Sequence, residues 1–151
     1  MAITPETRDY RTFEVRALDT GEEDKQYRVE GYAAVFDEET VLYEYDGIQH
    51  KEVIDRSAFS GAEMRDVVMN YNHGGKPVAR TKNGTLQLTV DTRGLRISAD
   101  LSGTEEGRRL YEEIRGGYLD QMSFAFTVNK QEYDRAKHLR RITGFKRVFD
   151  V

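Results

Sequence analysis

The sequence predicts a β-rich α+β fold, and three observations carry that prediction. Apolar residues alternate at period two in four stretches, the pattern of strands with one covered face. Glycine-bearing turns bound those stretches at short intervals, and only two segments show helical spacing. The tally is roughly seven strands and two or three helices, and that many short strands in one small domain close into a barrel or sandwich.

Taken in order, the first alternating stretch is Tyr27-Val29-Gly31-Ala33-Val35. Residues Glu38 to Gly47, rich in acids and tyrosine, are expected to form an exposed loop. A helical stretch is expected around 55–67, starting at Asp55 or Ser57, with Ala58, Phe59, Ala62 and Met64 as a weak apolar stripe. Asn83-Gly84 marks the turn into a hairpin from Thr85 to Leu101. Its strands carry Leu86-Leu88-Val90 and Leu95-Ile97-Ala99-Leu101, joined tightly at Asp91-Thr92-Arg93-Gly94. A helix near 103–115 follows: Ser102-Gly103-Thr104-Glu105 fits a capping box, Leu110, Tyr111 and Ile114 recur at helical spacing, and Gly116-Gly117 supplies the stop. The last clear strand carries Met122-Phe124-Phe126-Val128.

The chain of 151 residues is the size of one domain, and no repeat, low-complexity tract or Pro-rich linker divides it, so a single domain over 1–151 is expected. Its 23 Lys and Arg against 27 Asp and Glu give a net charge of −4, with no basic block to track phosphates, so nucleic acid is not the expected ligand. The absence of cysteine excludes a disulfide framework, a thiolate nucleophile and thiolate zinc sites. No apolar run approaches the ~20 residues of a membrane span, and a soluble cytoplasmic protein is expected.

Two segments could carry chemistry. On the strand 121–128, Met122, Phe124, Phe126 and Val128 take one face and Ser123, Ala125 and Thr127 the other. The hydroxyl thus sits where a substrate chain has room. A solvent-facing serine is the commoner outcome of such a pattern, and the pattern alone leaves both readings open. In Val67-Val68-Met69-Asn70-Tyr71-Asn72-His73-Gly74-Gly75, an apolar run delivers His73 to a strand end before a glycine turn. An ordinary histidine pKa of ~6.5 suits proton transfer near neutrality, although a polar turn histidine beside Asn72 is the commoner outcome of such a segment alone. His50 and His138 lie in charged, surface-like stretches. The three histidines form neither a His-Glu-x-x-His motif nor a cluster with acids, and no metal or cofactor is expected. Gly74-Gly75-Lys76-Pro77 lacks the spacing and the Ser/Thr of a P-loop.

Taken together, these segments resemble the tailed-phage prohead proteases, capsid-maturation peptidases related to herpesvirus assemblins, from about Arg28 to Val151. The resemblance is carried by Val29-Glu30-Gly31-Tyr32-Ala33-Ala34-Val35-Phe36, Glu52-Val53-Ile54-Asp55-Arg56-Ser57-Ala58-Phe59, Asn70-Tyr71-Asn72-His73 and Val78-Ala79-Arg80-Thr81. It continues through Thr92-Arg93-Gly94-Leu95 and Gly117-Tyr118-Leu119-Asp120-Gln121-Met122-Ser123-Phe124-Ala125-Phe126. It implies a mostly antiparallel, closed β-barrel flanked by helices, with His73 as base and Ser123 as nucleophile. The family's acidic residue matches Asp150, after the strand Arg140-Arg141-Ile142; herpesvirus relatives use a second histidine, which makes His138 the competitor. Arg80 is a weak candidate for a supporting charge beside the plainer reading of a surface arginine. The family continues through another apolar strand, so trimming after Val151 is expected. Implied substrates are the scaffold segment of the major capsid protein and the protease itself, cut by a homodimer inside the assembling prohead in the host cytoplasm. The alternative is an inactive scaffolding module with the same barrel.

Overall fold

A computed structural model describes residues 8–18, 27–71 and 74–151. Ten strands and one α-helix are found among them: β1 (Asp9–Ala17), β2 (Arg28–Val35), β3 (Thr40–Tyr45), β4 (Ile48–Ile54), β5 (Val68–Tyr71), β6 (Gly74–Arg80), β7 (Leu86–Val90), β8 (Gly94–Asp100), α1 (Glu105–Arg115), β9 (Gln121–Asp134) and β10 (Leu139–Asp150). The main path of the sheet is β3-β4-β10-β9-β1-β2-β8-β7, and β5 joins β10 from the side and carries β6.

The closed, mostly antiparallel barrel is corrected to a strongly curled, mixed half-barrel. Two features explain the difference. The long β9–β10 hairpin sends β10 back in the direction of β4 and β5, so both pair with it in parallel. In addition, β1 changes partner along its length. Residues Asp9 to Glu14 pair with β9, whereas Val15 to Ala17 pair with β2, so β1 and β2 splay apart below Gly31. One parallel bridge, Phe36 to Ile54, links the end of β2 to the end of β4 across the open side.

The flanking helices reduce to α1. Its start is two residues later than expected: Thr104 is the N-cap, its hydroxyl accepting from the Gly107 N–H at 2.9 Å. Leu110, Tyr111 and Ile114 are buried as the spacing predicts. Residues 55–67 form turns and not a helix. Asp55 accepts from both the N–H and the hydroxyl of Ser57, a local bond that competes with helix. Beyond it β10 takes up the backbone, through Phe145 N–H to the Ala58 carbonyl and Glu63 N–H to the Lys146 carbonyl.

The expected loop at Glu38 to Gly47 is instead the exposed edge strand β3, joined to β4 by Asp46 and Gly47, both at positive φ. The hairpin of β7 and β8 forms as expected. In β2 the alternation breaks at a bulge between Tyr32 and Ala34, which turns Ala34 and Phe36 inward in place of Val35. The core centres on Phe124, Phe126 and Phe145, with ring centroids 4.8–6.3 Å apart, joined by Leu95, Ile97, Leu101 and Ile142.

Candidate active site

Ser123 lies near the start of β9, opposite Thr12 of β1. The Val15 N–H donates to the Asp120 carbonyl at 3.0 Å, which fixes the odd-numbered residues of β1 as the ones bonded to β9. Thr12 and Ser123 therefore form a non-hydrogen-bonded pair, whose side chains approach closely on one face. Ser123 is half-buried. The small-residue face is less open than the alternation suggests, because Ala125 and Thr127 are buried along with Phe124 and Phe126.

Asp150 is the partner of Ala125 across the β9–β10 ladder, which puts its side chain on the face of Ser123, at the diagonal position. Diagonal neighbours lie roughly 7–8 Å apart. On its other side Asp150 pairs with Val68 of β5, and the next bonds, Val151 N–H to the Val68 carbonyl and Asn70 N–H to the Val151 carbonyl, carry β5 onward. Because β5 runs parallel to β10 and antiparallel to β9, it advances from the level of Ala125 towards that of Ser123. β5 ends at Tyr71, which pairs with Gly74 of β6. His73, the expected base, lies outside the described residues.

His138 stands at the other end of the hairpin. It follows the Asp134 end of β9, roughly 35 Å of extended strand from Ser123. There it meets the ring of His50, which stacks on Tyr43 at 4.5 Å. The structure thus groups Ser123 with Asp150 and leaves His50 and His138 apart. Arg80 is bound in a two-pronged pair to Asp66, at 3.0 and 3.2 Å. Those bonds raise the guanidinium pKa and lower that of the Asp66 carboxyl. Arg80 thus fastens β6 to the preceding turn.

The burial of two polar residues on this face, Asn70 and Thr127, was not foreseen from the sequence. The Asn70 amide oxygen and the Thr127 hydroxyl are buried with no hydrogen-bond partner among the described residues. Thr127 follows Ala125 on the small-residue face, and Asn70 lies next to the Val151 carbonyl. Each such atom costs about 1–3 kcal/mol, and native proteins keep few of them. The available signal was a polar residue inside the apolar run 67–71. No group of acids and histidines able to hold a metal ion occurs among the described residues, and no described helix is long and apolar enough to cross a membrane.

A family model described as caudovirus prohead serine protease matches residues 11–151. No curated protein and no solved structure matches the chain.

Proposed function

The chain belongs to the caudovirus prohead serine proteases, and from that membership we propose an endopeptidase in which Ser123 is the nucleophile, His73 the general base and Asp150 the residue that orients the imidazole. The observation that supports this most is the ladder register, with Ser123 and Asp150 diagonal on one face and β5 leading towards position 73. A separation of roughly 7–8 Å suits a bridging imidazole that makes a hydrogen bond of about 3 Å on each side.

In this mechanism the Ser123 oxygen attacks the peptide carbonyl while His73 takes its proton. The tetrahedral intermediate collapses with protonation of the leaving amine by His73, and water then releases the acyl group by the same steps in reverse. Asp150 stabilises the imidazolium without taking the proton. The substrates are the scaffold segment of the capsid protein and the protease's own chain, inside the assembling prohead, with the enzyme acting as a homodimer.

The test is labelling by a serine-directed phosphonate together with cleavage of the cognate capsid protein, followed by mass spectrometry. Ser123→Ala should abolish labelling and leave capsid protein unprocessed while melting like wild type. Loss of a triad nucleophile lowers turnover by roughly 10⁶-fold, about 8 kcal/mol of barrier, against about 1 kcal/mol or less of stability for truncating a half-buried serine. Normal processing by the folded variant would overturn the assignment.

A further inference from the structure

The splaying of β1 from β2 leaves a slot in the sheet. Below Val15 and Gly31, no strand among the described residues lies beside the β1 edge that faces away from β9, nor beside the β2 edge that faces away from β8 until Phe36 meets Ile54. The register says which groups line it. Odd-numbered residues of β1 bond to β9, and the Leu18 N–H bonds to the Arg28 carbonyl, so even-numbered residues of β1 and of the first half of β2 face each other. The Tyr10 carbonyl accepts from the Arg11 guanidinium. No hydrogen bond among the described residues reaches the backbone of Thr12 or Tyr32 on these edges. Strand edges of this kind are templates for another strand.

A cavity of about 1230 Å³ occupies the slot, bounded by both edges and by β3. That exceeds the ~300–1,000 Å³ of small-molecule sites and suits a length of polypeptide. Its charges are unevenly used. Arg11 is paired with Glu52, and Arg16 and Arg96 with Glu30, whereas Arg93 lies over the Tyr32 ring. Glu14, Glu38 and Asp120 border the same cavity with no ion-pair partner among the described residues. The walls carry five carboxylates against four arginines, a net charge of −1, with the acids left unpaired among the described residues at Glu14, Glu38 and Asp120.

We propose that the slot between the unpaired edges of β1 and β2 binds an extended, lysine- or arginine-bearing polypeptide segment by strand addition. The occupant lies one strand beyond Ser123, roughly 9–10 Å from β9, so it is not the segment being cut. The slot is an accessory site that holds a second stretch of chain.

The probe is a seven-residue peptide of alternating valine and threonine with lysine at each end, added to the Ser123→Ala protein. Backbone amide NMR should show saturable shifts at Thr12 and Tyr32 below about 1 mM, with amide exchange slowed at both. N-methylation of the peptide amides on one edge, or exchange of its lysines for glutamates, should each weaken binding at least tenfold. Glu38→Gln and Asp120→Asn together should weaken the lysine peptide alone, with melting unchanged. The proposal is overturned if no peptide binds, if the shifts avoid the 10–14 and 30–35 edges, or if N-methylation has no effect. None of these readouts uses catalysis, so failure here is separable from failure of the protease assignment.

Discussion

Asp150 and His138 bracket β10, and their positions separate two versions of the catalytic machinery. Asp150→Asn should slow phosphonate labelling of Ser123 by up to about 10⁴-fold, as loss of the orienting carboxylate does in other triads. His138→Ala, some 35 Å of strand away, should leave the rate within twofold. The reverse pattern would move the third role to His138. Thr127→Val removes a buried hydroxyl with no hydrogen-bond partner among the described residues and keeps its shape, so it should leave stability unchanged or raise it by about 1 kcal/mol, 2–4 °C in melting temperature. At this scale the sequence was legible in part. Ser123 and His73 stood out by pattern yet could not be told from ordinary polar residues, and Asp150 came only from the resemblance. Thr127 looked solvent-facing because alternation reports which face is apolar. It cannot report that the opposite face is covered too.

Elements were legible where local chemistry and tertiary contacts agree. The hairpin at 85–101 and the helix at 105–115 each carry their own turn or cap, and both form. Thr104→Ala should cost α1 about 1 kcal/mol, measured by denaturant unfolding, because the Gly107 N–H loses its acceptor. Residues 55–67 read as helix because a stripe of four apolar residues outweighed an aspartate-serine turn. In the fold, β10 claims their backbone. The missed strand β3 had a plain signal in Asp46-Gly47, the dipeptide favoured by two-residue hairpins, but tyrosine and acids on both sides masked its alternation. Gly94 shows how tightly β8 meets the β2 bulge: a Cβ there would stand 1.9 Å from the Ala34 carbonyl oxygen. Gly94→Ala should therefore unfold the protein at a lower denaturant midpoint than any of the surface changes above.

For the whole molecule, acid should be the sensitive direction. Hydrogen bonds from Arg96 and then Arg16 lower the Glu30 pKa, and Asp55, Asp66 and Asp91 are lowered by bonds from Ser57, Arg80 and Tyr32 respectively. Folded values below the unfolded ones, near 4, mean that these carboxylates stabilise the fold above that pH. The contribution is lost as pH falls through their lowered values. Thermal melts should show a fall in stability below about pH 4, and Glu30→Gln should be less stable at pH 7 with a shallower acid decline. The open half-barrel was the part least legible in sequence, since strand counting predicts closure and says nothing of a strand that changes partner midway.

The bridge between Phe36 and Ile54 has a mechanical meaning. Across the open side the curled sheet is fastened there by the Asp37 N–H on the Ile54 carbonyl at 3.0 Å, with Asp37 itself at φ 58° and gripped by Arg56. Arg141 of β10 adds an ion pair to Asp37 at 3.5 Å, and Arg56 also bonds the Thr92 carbonyl at 2.8 Å, so a small local cluster of contacts works there as a buckle. Opening it breaks this cluster and leaves the β9–β10 and β2–β8 ladders paired. Amide exchange at Asp37 should then run ahead of exchange at Ile97, because releasing a local buckle needs less energy than undoing a ladder in the core.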